Sequence, residues 1–294
     1  MGSIWQHEFT NCGIDIELKP VECNFCKTDL VLHRLDREWP INSGALRTEH
    51  EHYISYMHEI HGDMLRHLEI TSDFRTYDVR YYCCPACGWW CLVHMVDYDT
   101  PGLGFMTYQW AAGSIAKEEF PDLSAPLSEV RDYLCARYEK RLLMNPYQLE
   151  EIVASIFHSF GCSVKITNRS HDGGLDIFGL DVCEKPFGVQ VKRYREKIGV
   201  EQVRSFLGAL LIAQQTRGVF VTTSSFTGGA VSLTGKANER GIQLKYVDAE
   251  RLFEMLKVAQ VTDFDFENIA AMARNHSETI SELAPGSSTH MGSI

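Results

Sequence analysis

Three polar residues in two short segments, Asp176, Gln190 and Lys192, have the types and spacing needed to cleave a phosphodiester bond. Because side chains alternate along a strand, Gln190 and Lys192 in "VQVKR" are expected on one face, with Val189 and Val191 in the core. If the segments at 173–177 and 189–193 pair as a hairpin, Asp176 joins them. A carboxylate, an amide oxygen and an ammonium group around one point can hold Mg²⁺ and stabilise a hydroxide attacking phosphorus.

Further motifs surround these residues in a fixed order. A predicted helix carries Leu149-Glu150 and is closed by Gly161, and it is followed by "SHDGGLDI", "GVQVKRYREKIGVEQVRSFLGAL", "GVFVTTSSFTGGA" and "GIQLKYVDAERL". Together they resemble the catalytic domain of Mrr-like restriction endonucleases, a branch of the PD-(D/E)XK nuclease superfamily. Leu175 replaces the Pro of the superfamily pattern, and Gln190 replaces its usual acid, as is typical of the Mrr branch.

The resemblance implies a fold and an activity. The fold is α/β, a restriction-endonuclease-like mixed sheet flanked by helices, and the alternation of predicted strands and helices after an initial hairpin agrees with it. The activity is Mg²⁺-dependent hydrolysis of DNA, in the restriction of foreign or modified DNA. Glu150 is implied as a further metal ligand, although the neighbouring Glu151 is an alternative. Asp172 is either a second ligand or a turn residue.

A cluster of basic residues follows Lys192 directly. It comprises Arg193, Arg195 and Lys197. These side chains are placed to contact the phosphates of double-stranded DNA, although a solvated charged turn is the alternative. The hydroxyls of Thr222 and Ser224 end the next predicted strand. They either bind a DNA phosphate or cap the following helix.

The net negative charge of the chain is unevenly distributed, so it does not argue against DNA binding. The net charge of the chain is −11. Residues 1–145 contain 13 Lys and Arg against 22 Asp and Glu, whereas residues 146–260 contain 14 against 12. The acidity therefore lies outside the nuclease-like segment.

Two cysteine pairs precede that segment, Cys23 with Cys26 and Cys84 with Cys87. Four thiolates at this spacing can enclose a structural Zn²⁺, and "CPACGWW" resembles a zinc-ribbon knuckle. Cys83 is an alternative to Cys84, but the spacing favours Cys84. Buried free thiols are the other interpretation.

Composition and patterning predict four regions. They are a β-rich, zinc-ribbon-like domain (1–120), a linking helix (121–145), the nuclease domain (146–260) and an acidic, polar tail (261–294). The tail is expected to be partly disordered or left over from cloning, since "SSTHMGSI" repeats the opening "MGSI". No apolar run approaches the roughly 18 residues of a membrane span, and no secretion signal opens the chain, so we expect a cytoplasmic protein with reduced thiols.

Two other functions remain open at this point. A structure-selective resolvase of Holliday-junction type shares the fold, and a DNA-binding or assembly module can retain the fold without cutting. The presence of Asp176 and Lys192 favours an active enzyme. Because cutting both strands usually needs two active sites, a homodimer is expected.

Overall fold

The computed structural model describes residues 22–35 except 24, residues 74–113 except 101 and 102, residues 121, 124–167, 173–282 and 286–290, and the single positions 55 and 59. The chain divides into two compact units, residues 1–114 with 265–294 and residues 115–264. Each unit contains one five-stranded sheet.

The sheet of the first unit is antiparallel throughout. Its strands follow the order β1 (Val31–Leu35), β2 (Phe74–Cys83), β3 (Trp90–Thr100), β4 (Leu103–Gly113) and β10 (Gly286–His290). Strands β2 and β3 pair as far as Cys83 and Trp90, so the tight turn between them contains Cys84 and Cys87. This sheet confirms the β-rich fold predicted for the N-terminal region.

The sheet of the second unit is mixed. Its strands follow the order β5 (Ser163–Ile166), β6 (Ile177–Leu180), β7 (Pro186–Lys192), β8 (Arg217–Thr222) and β9 (Gln243–Val247). Strands β5, β6 and β7 are antiparallel neighbours, and β7, β8 and β9 run parallel. The parallel connections pass through the helices α3 (Val200–Ile212) and α4 (Gly228–Asn238). The arrangement confirms the predicted mixed α/β fold.

Helices cover both faces of the central strand β7. On one face, Phe187 packs against Phe157 of helix α2 (Pro146–Ser159), with ring centroids 5.4 Å apart. On the other face, Phe220 of β8 packs edge-to-face against Phe206 of α3 at 5.3 Å. A strand covered on both sides is apolar over most of its length, and in the run "FGVQV" Gln190 is the one polar residue.

The segment 121–145, predicted as one linking helix, forms two elements. Helix α1 (Leu127–Ala136) ends at Arg137, whose φ of −135° and ψ of 54° leave the helical region. A 3₁₀ helix, Tyr138–Leu143, follows.

Contacts within the second unit explain why the helix is interrupted. The ring of Tyr138 stacks on Phe253 of helix α5 (Ala249–Asp263) with centroids 4.6 Å apart. Arg141 Nε donates a hydrogen bond of 3.0 Å to the carbonyl oxygen of Thr223. The 3₁₀ helix is therefore fixed to the end of the second sheet.

The segment 261–294, predicted as a tail, begins with the end of helix α5, and from residue 265 on it contributes elements to the first unit. Helix α6 spans Ile269–Glu282, and β10 pairs with β4 in antiparallel register. In the described part of the chain, no helix is both long and apolar enough to cross a membrane.

A polar cluster joins α1 to the ends of α2 and α5. Arg131, only 7% exposed, lies 3.0 Å from Asp263 and donates a 3.3 Å hydrogen bond to Ser159 Oγ. Beside it, Gln260 donates a hydrogen bond to Asp132. Burial raises the pKa of Asp132 to about 6. The folded protein therefore holds this proton at pH values at which the unfolded chain has released it.

We predict that Asp132→Asn stabilises the protein above pH 6. Below pH of about 3 the carboxyl group is largely neutral in both states, so the change should matter little. As the pH rises towards 6, the wild type loses stability because the unfolded state releases the proton more readily, whereas the amide does not titrate. Urea unfolding at pH 7.5 should show a gain of about 3 kcal/mol for the variant. A gain of equal size at pH 4 would contradict this origin.

Candidate active site

Asp176 lies where the chain enters β6, and hydrogen bonds fix its orientation. Its backbone carbonyl accepts from the N–H of Thr167 at 2.9 Å. Its carboxylate Oδ2 accepts from the backbone N–H of Val191 at 2.6 Å, and the residue is only 7% exposed. Since Val191 lies between Gln190 and Lys192, the carboxylate is directed onto the segment of β7 that carries both side chains.

Two glycines make this approach to the sheet possible. Gly173 and Gly174 have φ values of 56° and 87°, in the region that favours glycine. A Cβ on Gly174 would lie 2.9 Å from the Cβ of Ala209 in α3. The turn therefore needs glycine at 174 both for its backbone angle and for its packing.

Gln190 and Lys192 share one face of β7, as the sequence predicts, but that face is not a solvent face. Gln190 pairs with Phe220 of β8 and is only 7% exposed. Lys192 is the last residue of β7, pairs with Thr222 and is half-buried. The Gln190 amide thus lies in the layer covered by α3, while Lys192 is at the carboxyl end of the strand.

Glu150 lies at the same end of the sheet. Strand β5 follows α2 after a tight turn at Gly161, and β5 runs in the same direction as β7. Helix α2 therefore runs opposite to β7, so its first turns lie near Lys192. A hydrogen bond from Arg193 to the carbonyl oxygen of Leu142, just before α2, supports this placement. Glu150 is half-buried, whereas Glu151 is exposed.

The basic cluster forms an exposed loop whose backbone is held by hydrogen bonds. All residues from 193 to 197 are exposed. After the loop, the backbone N–H of Ile198 donates to the carbonyl oxygen of Ser225 at 2.8 Å. Within it, Ser224 Oγ donates to the carbonyl oxygen of Arg195 at 3.0 Å, and Thr223 Oγ1 donates to that of Tyr194 at 2.9 Å.

These bonds give the predicted hydroxyl residues a second role. Thr222 is fully buried, and its Oγ1 accepts from the backbone N–H of Ser224 at 3.2 Å. Helix α4 is capped by Thr227, whose side chain accepts from the N–H of Ala230. Thr222 and Ser224 thus hold the shape of the basic loop, and direct phosphate contact by either residue stays a prediction.

One residue near the site was missed by the sequence analysis. Arg141 reaches the carbonyl oxygen of Thr223 at the end of β8, and its guanidinium lies 5.0 Å from the ring centroid of Tyr138. The sequence carried no signal for this role, because the pattern of the segment predicts one continuous helix. Asp172 lies outside the described residues.

The four predicted cysteines meet in the first unit. The sulfur atoms of Cys23 and Cys87 are 3.6 Å apart, those of Cys26 and Cys84 are 3.3 Å apart, and all four lie within 4.8 Å of one another. All four residues are buried. A tetrahedral Zn²⁺ with bonds of about 2.3 Å would place its sulfur ligands about 3.8 Å apart, so the cluster fits this ion. Cys83 stays outside the cluster, and burial raises the pKa of its thiol to about 12.

The two cysteine pairs have the same local geometry. After the second cysteine of each pair, Lys27 and Gly88 have φ values of 59° and 70°. Their N–H groups donate to the carbonyl oxygens of Cys23 and Cys84, at 2.9 Å and 3.1 Å. Hydrogen bonding from Cys23 lowers the pKa of the Cys26 thiol. The fold thus brings two matching turns together with their sulfur atoms facing one another.

Comparison with known proteins finds similarities to most of the second unit. Residues 141–256 match the restriction endonuclease family of Mrr-type catalytic domains. The type IV methyl-directed restriction enzyme EcoKMrr of Escherichia coli K12 is 33% identical over 143 residues, which are 46% of this chain and 45% of that protein. The segment 141–256 is therefore similar to the catalytic domains of Mrr-type restriction endonucleases.

Other similarities cover only part of the chain. The uncharacterized protein y4cE of Sinorhizobium fredii NGR234 is 32% identical over 110 residues, 35% of this chain and 27% of that protein. The chain thus spans less than half the length of either relative. Among solved structures, the DNA modification-dependent restriction endonuclease AspBHI is similar over 57% of this chain and 45% of its own, with 19% identity and a TM-score of 0.36.

Proposed function

We propose that this protein is a metal-dependent DNA endonuclease that hydrolyses phosphodiester bonds. The observation that supports this most strongly is the hydrogen bond from Val191 N–H to the Asp176 carboxylate, which directs the acid onto β7 between Gln190 and Lys192. The same residues lie within the segment that is similar to Mrr-type catalytic domains. Substrate and biological role are inferred for the whole protein from this part of it.

Mg²⁺ is the proposed catalytic ion. The Asp176 carboxylate and the Gln190 amide would hold it, since hard cations prefer oxygen ligands, with Glu150 as a further ligand. The bound ion would supply Lewis-acid stabilisation of the charge that develops on phosphorus oxygens. Lys192 would position the attacking water and stabilise negative charge with its ammonium group.

The exposed loop after Lys192 is the proposed contact with double-stranded DNA. Arg195 and Lys197 extend from it, and hydrogen bonds to Ser224 and Leu142 hold its backbone and Arg193 in place. Basic side chains beside a cleavage site bind phosphates without reading bases. Two copies of the protein, one for each strand, would make a double-strand cut.

Restriction of foreign or modified DNA is the proposed biological role. The relative EcoKMrr is named as methyl-directed. The cluster of four cysteines would bind structural Zn²⁺ and stabilise a module that recognises the target or a partner. Zinc fits because four buried sulfur atoms already lie at nearly tetrahedral spacing.

Cleavage of circular DNA by the full chain tests this function. Methylated and unmodified plasmid and a four-way junction would be incubated with and without Mg²⁺. We expect nicked or linear plasmid that depends on Mg²⁺. Cleavage of the junction alone would indicate a resolvase, and binding without any cleavage would indicate a non-cleaving module.

The catalytic roles predict that Asp176→Asn and Lys192→Met lose at least about a thousandfold in cleavage rate while still binding DNA. Asparagine keeps an oxygen that can accept the Val191 N–H, so the fold should be retained while the charge is lost. Gln190→Glu should remain active because it adds a carboxylate. Glu201→Gln, at an exposed acid on α3, is the matched control. Near wild-type cleavage by Asp176→Asn would refute the site.

The basic loop predicts a salt-dependent loss of affinity. Arg195→Ala with Lys197→Ala should weaken binding to all sequences alike and reduce the slope of log affinity against log salt by roughly 1 for each phosphate-binding side chain removed. Arg193 is kept because its bond to Leu142 also supports α2. Lys236→Ala, an exposed lysine on α4, serves as the control. An unchanged slope would show that DNA lies elsewhere.

The cysteine cluster predicts about one Zn²⁺ per chain in protein purified without chelator. Cys87→Ser should lose the metal and unfold the first unit, since the binding energy of such a site is folding energy. Cys183→Ser, at an exposed thiol, is the control. Elemental analysis and thermal unfolding provide the measurements, and metal-free protein with an intact first unit would exclude the zinc site.

A further inference from the structure

A cavity of about 510 Å³ lies in the second unit, away from the proposed active site. Phe187 lines it at the start of β7. Gln190 lies three residues further on, so the alternation of side chains puts it on the opposite face. Lys192 lies about 17 Å along the strand from Phe187. The volume is within the range of roughly 300–1,000 Å³ that is typical of small-molecule pockets.

One side of the cavity is aromatic. Phe157 of α2 and Phe187 of β7 line it together, with ring centroids 5.4 Å apart and planes inclined at 51°. Both rings are almost completely buried, and Phe160 adds a half-buried ring. The ring of Phe160 is therefore the accessible part of this side, and it offers apolar surface to a flat ligand.

The middle of the cavity holds a fixed guanidinium. Arg217 lies at the start of β8. Its Nη1 donates hydrogen bonds to the Asp181 carboxylate at 2.7 Å and to the carbonyl oxygen of Lys185 at 3.2 Å. The backbone N–H of Lys185, together with Arg217, lowers the pKa of Asp181. Asp181 thus stays ionised and holds Arg217 in one orientation.

The other side of the cavity is cationic. Lys245 of β9 and Arg251 of α5 line it, and both are exposed. Among the described residues, neither takes part in an ion pair. Because Asp181 offsets only Arg217, the cavity carries two positive charges that nothing in its lining neutralises.

We propose that this cavity binds a nucleoside phosphate, with the base against the aromatic side at Phe160 and the phosphate on Lys245 and Arg251. The order of the strands supports this arrangement, because β7 carries the aromatic side, β9 the cationic side, and β8 lies between them. Two other ligand classes fit less well. An anion without a ring would make no contact with the aromatic side, and a fatty acid would place its apolar chain beside the charged Arg217. The proposal does not depend on nuclease activity.

Titration calorimetry of the full chain with AMP, without added Mg²⁺, tests the proposal. We expect saturable binding of one AMP per chain with a Kd below about 1 mM. Lys245→Gln and Arg251→Gln should each weaken binding at least about tenfold, because each removes a charge-assisted hydrogen bond. Ribose 5-phosphate should also bind at least about tenfold more weakly, because it lacks the base. Lys236→Gln, an exposed lysine outside the cavity, should bind AMP as the wild type does.

Three results would overturn the proposal. One is the absence of saturable AMP binding, and another is equal binding by the Lys245→Gln, Arg251→Gln double variant. The third is ribose 5-phosphate binding as tightly as AMP, which would leave the aromatic side without a role. If the double variant lost affinity for duplex DNA and the wild type did not bind AMP, the surface would be a DNA contact instead.

Discussion

The proposed active site depends on one hydrogen bond, from the backbone N–H of Val191 to the carboxylate of Asp176. Asp176 precedes β6 and Val191 lies within β7, so the bond links the two strands of the hairpin at the point where their polar residues meet. Asp176 is almost completely buried. Its hydrogen bond is also a strong one, because hydrogen bonds to a carboxylate are stronger than those between neutral groups. The glycines at 173 and 174 make the required turn, and the close approach of Gly174 to Ala209 fixes it against α3.

The surrounding elements hold the end of the sheet at which these residues lie. Arg141 binds the carbonyl oxygen of Thr223, Arg193 binds that of Leu142, and Ser224 binds that of Arg195. Each bond joins a segment that follows a strand to another segment at the same end. The basic loop can therefore be exposed to solvent while its backbone keeps a defined path, which is what contact with a phosphate backbone requires.

The fold class could be predicted from the sequence, and the structure brings the residues of the predicted site to one end of the sheet. The alternation in "VQVKR" placed Gln190 and Lys192 on one face, and the spacing of the cysteines predicted which four sulfur atoms cluster. The burial of Gln190 was not predicted, because periodicity within one strand does not show which helix covers each face. The break at Arg137 was missed because it follows from tertiary contacts of Tyr138 and Arg141, which local pattern does not reveal.

The central claim is that Asp176 and Gln190 hold a catalytic metal ion at the end of β7. Crystals of the full chain soaked in Mn²⁺, which substitutes for Mg²⁺ at oxygen sites and scatters anomalously, test it directly. The account predicts an anomalous peak roughly 2.0–2.3 Å from an oxygen of Asp176 and from the amide oxygen of Gln190. A peak elsewhere in the second unit, or an ordered Asp176 and Gln190 with no peak between them at saturating Mn²⁺, would contradict it.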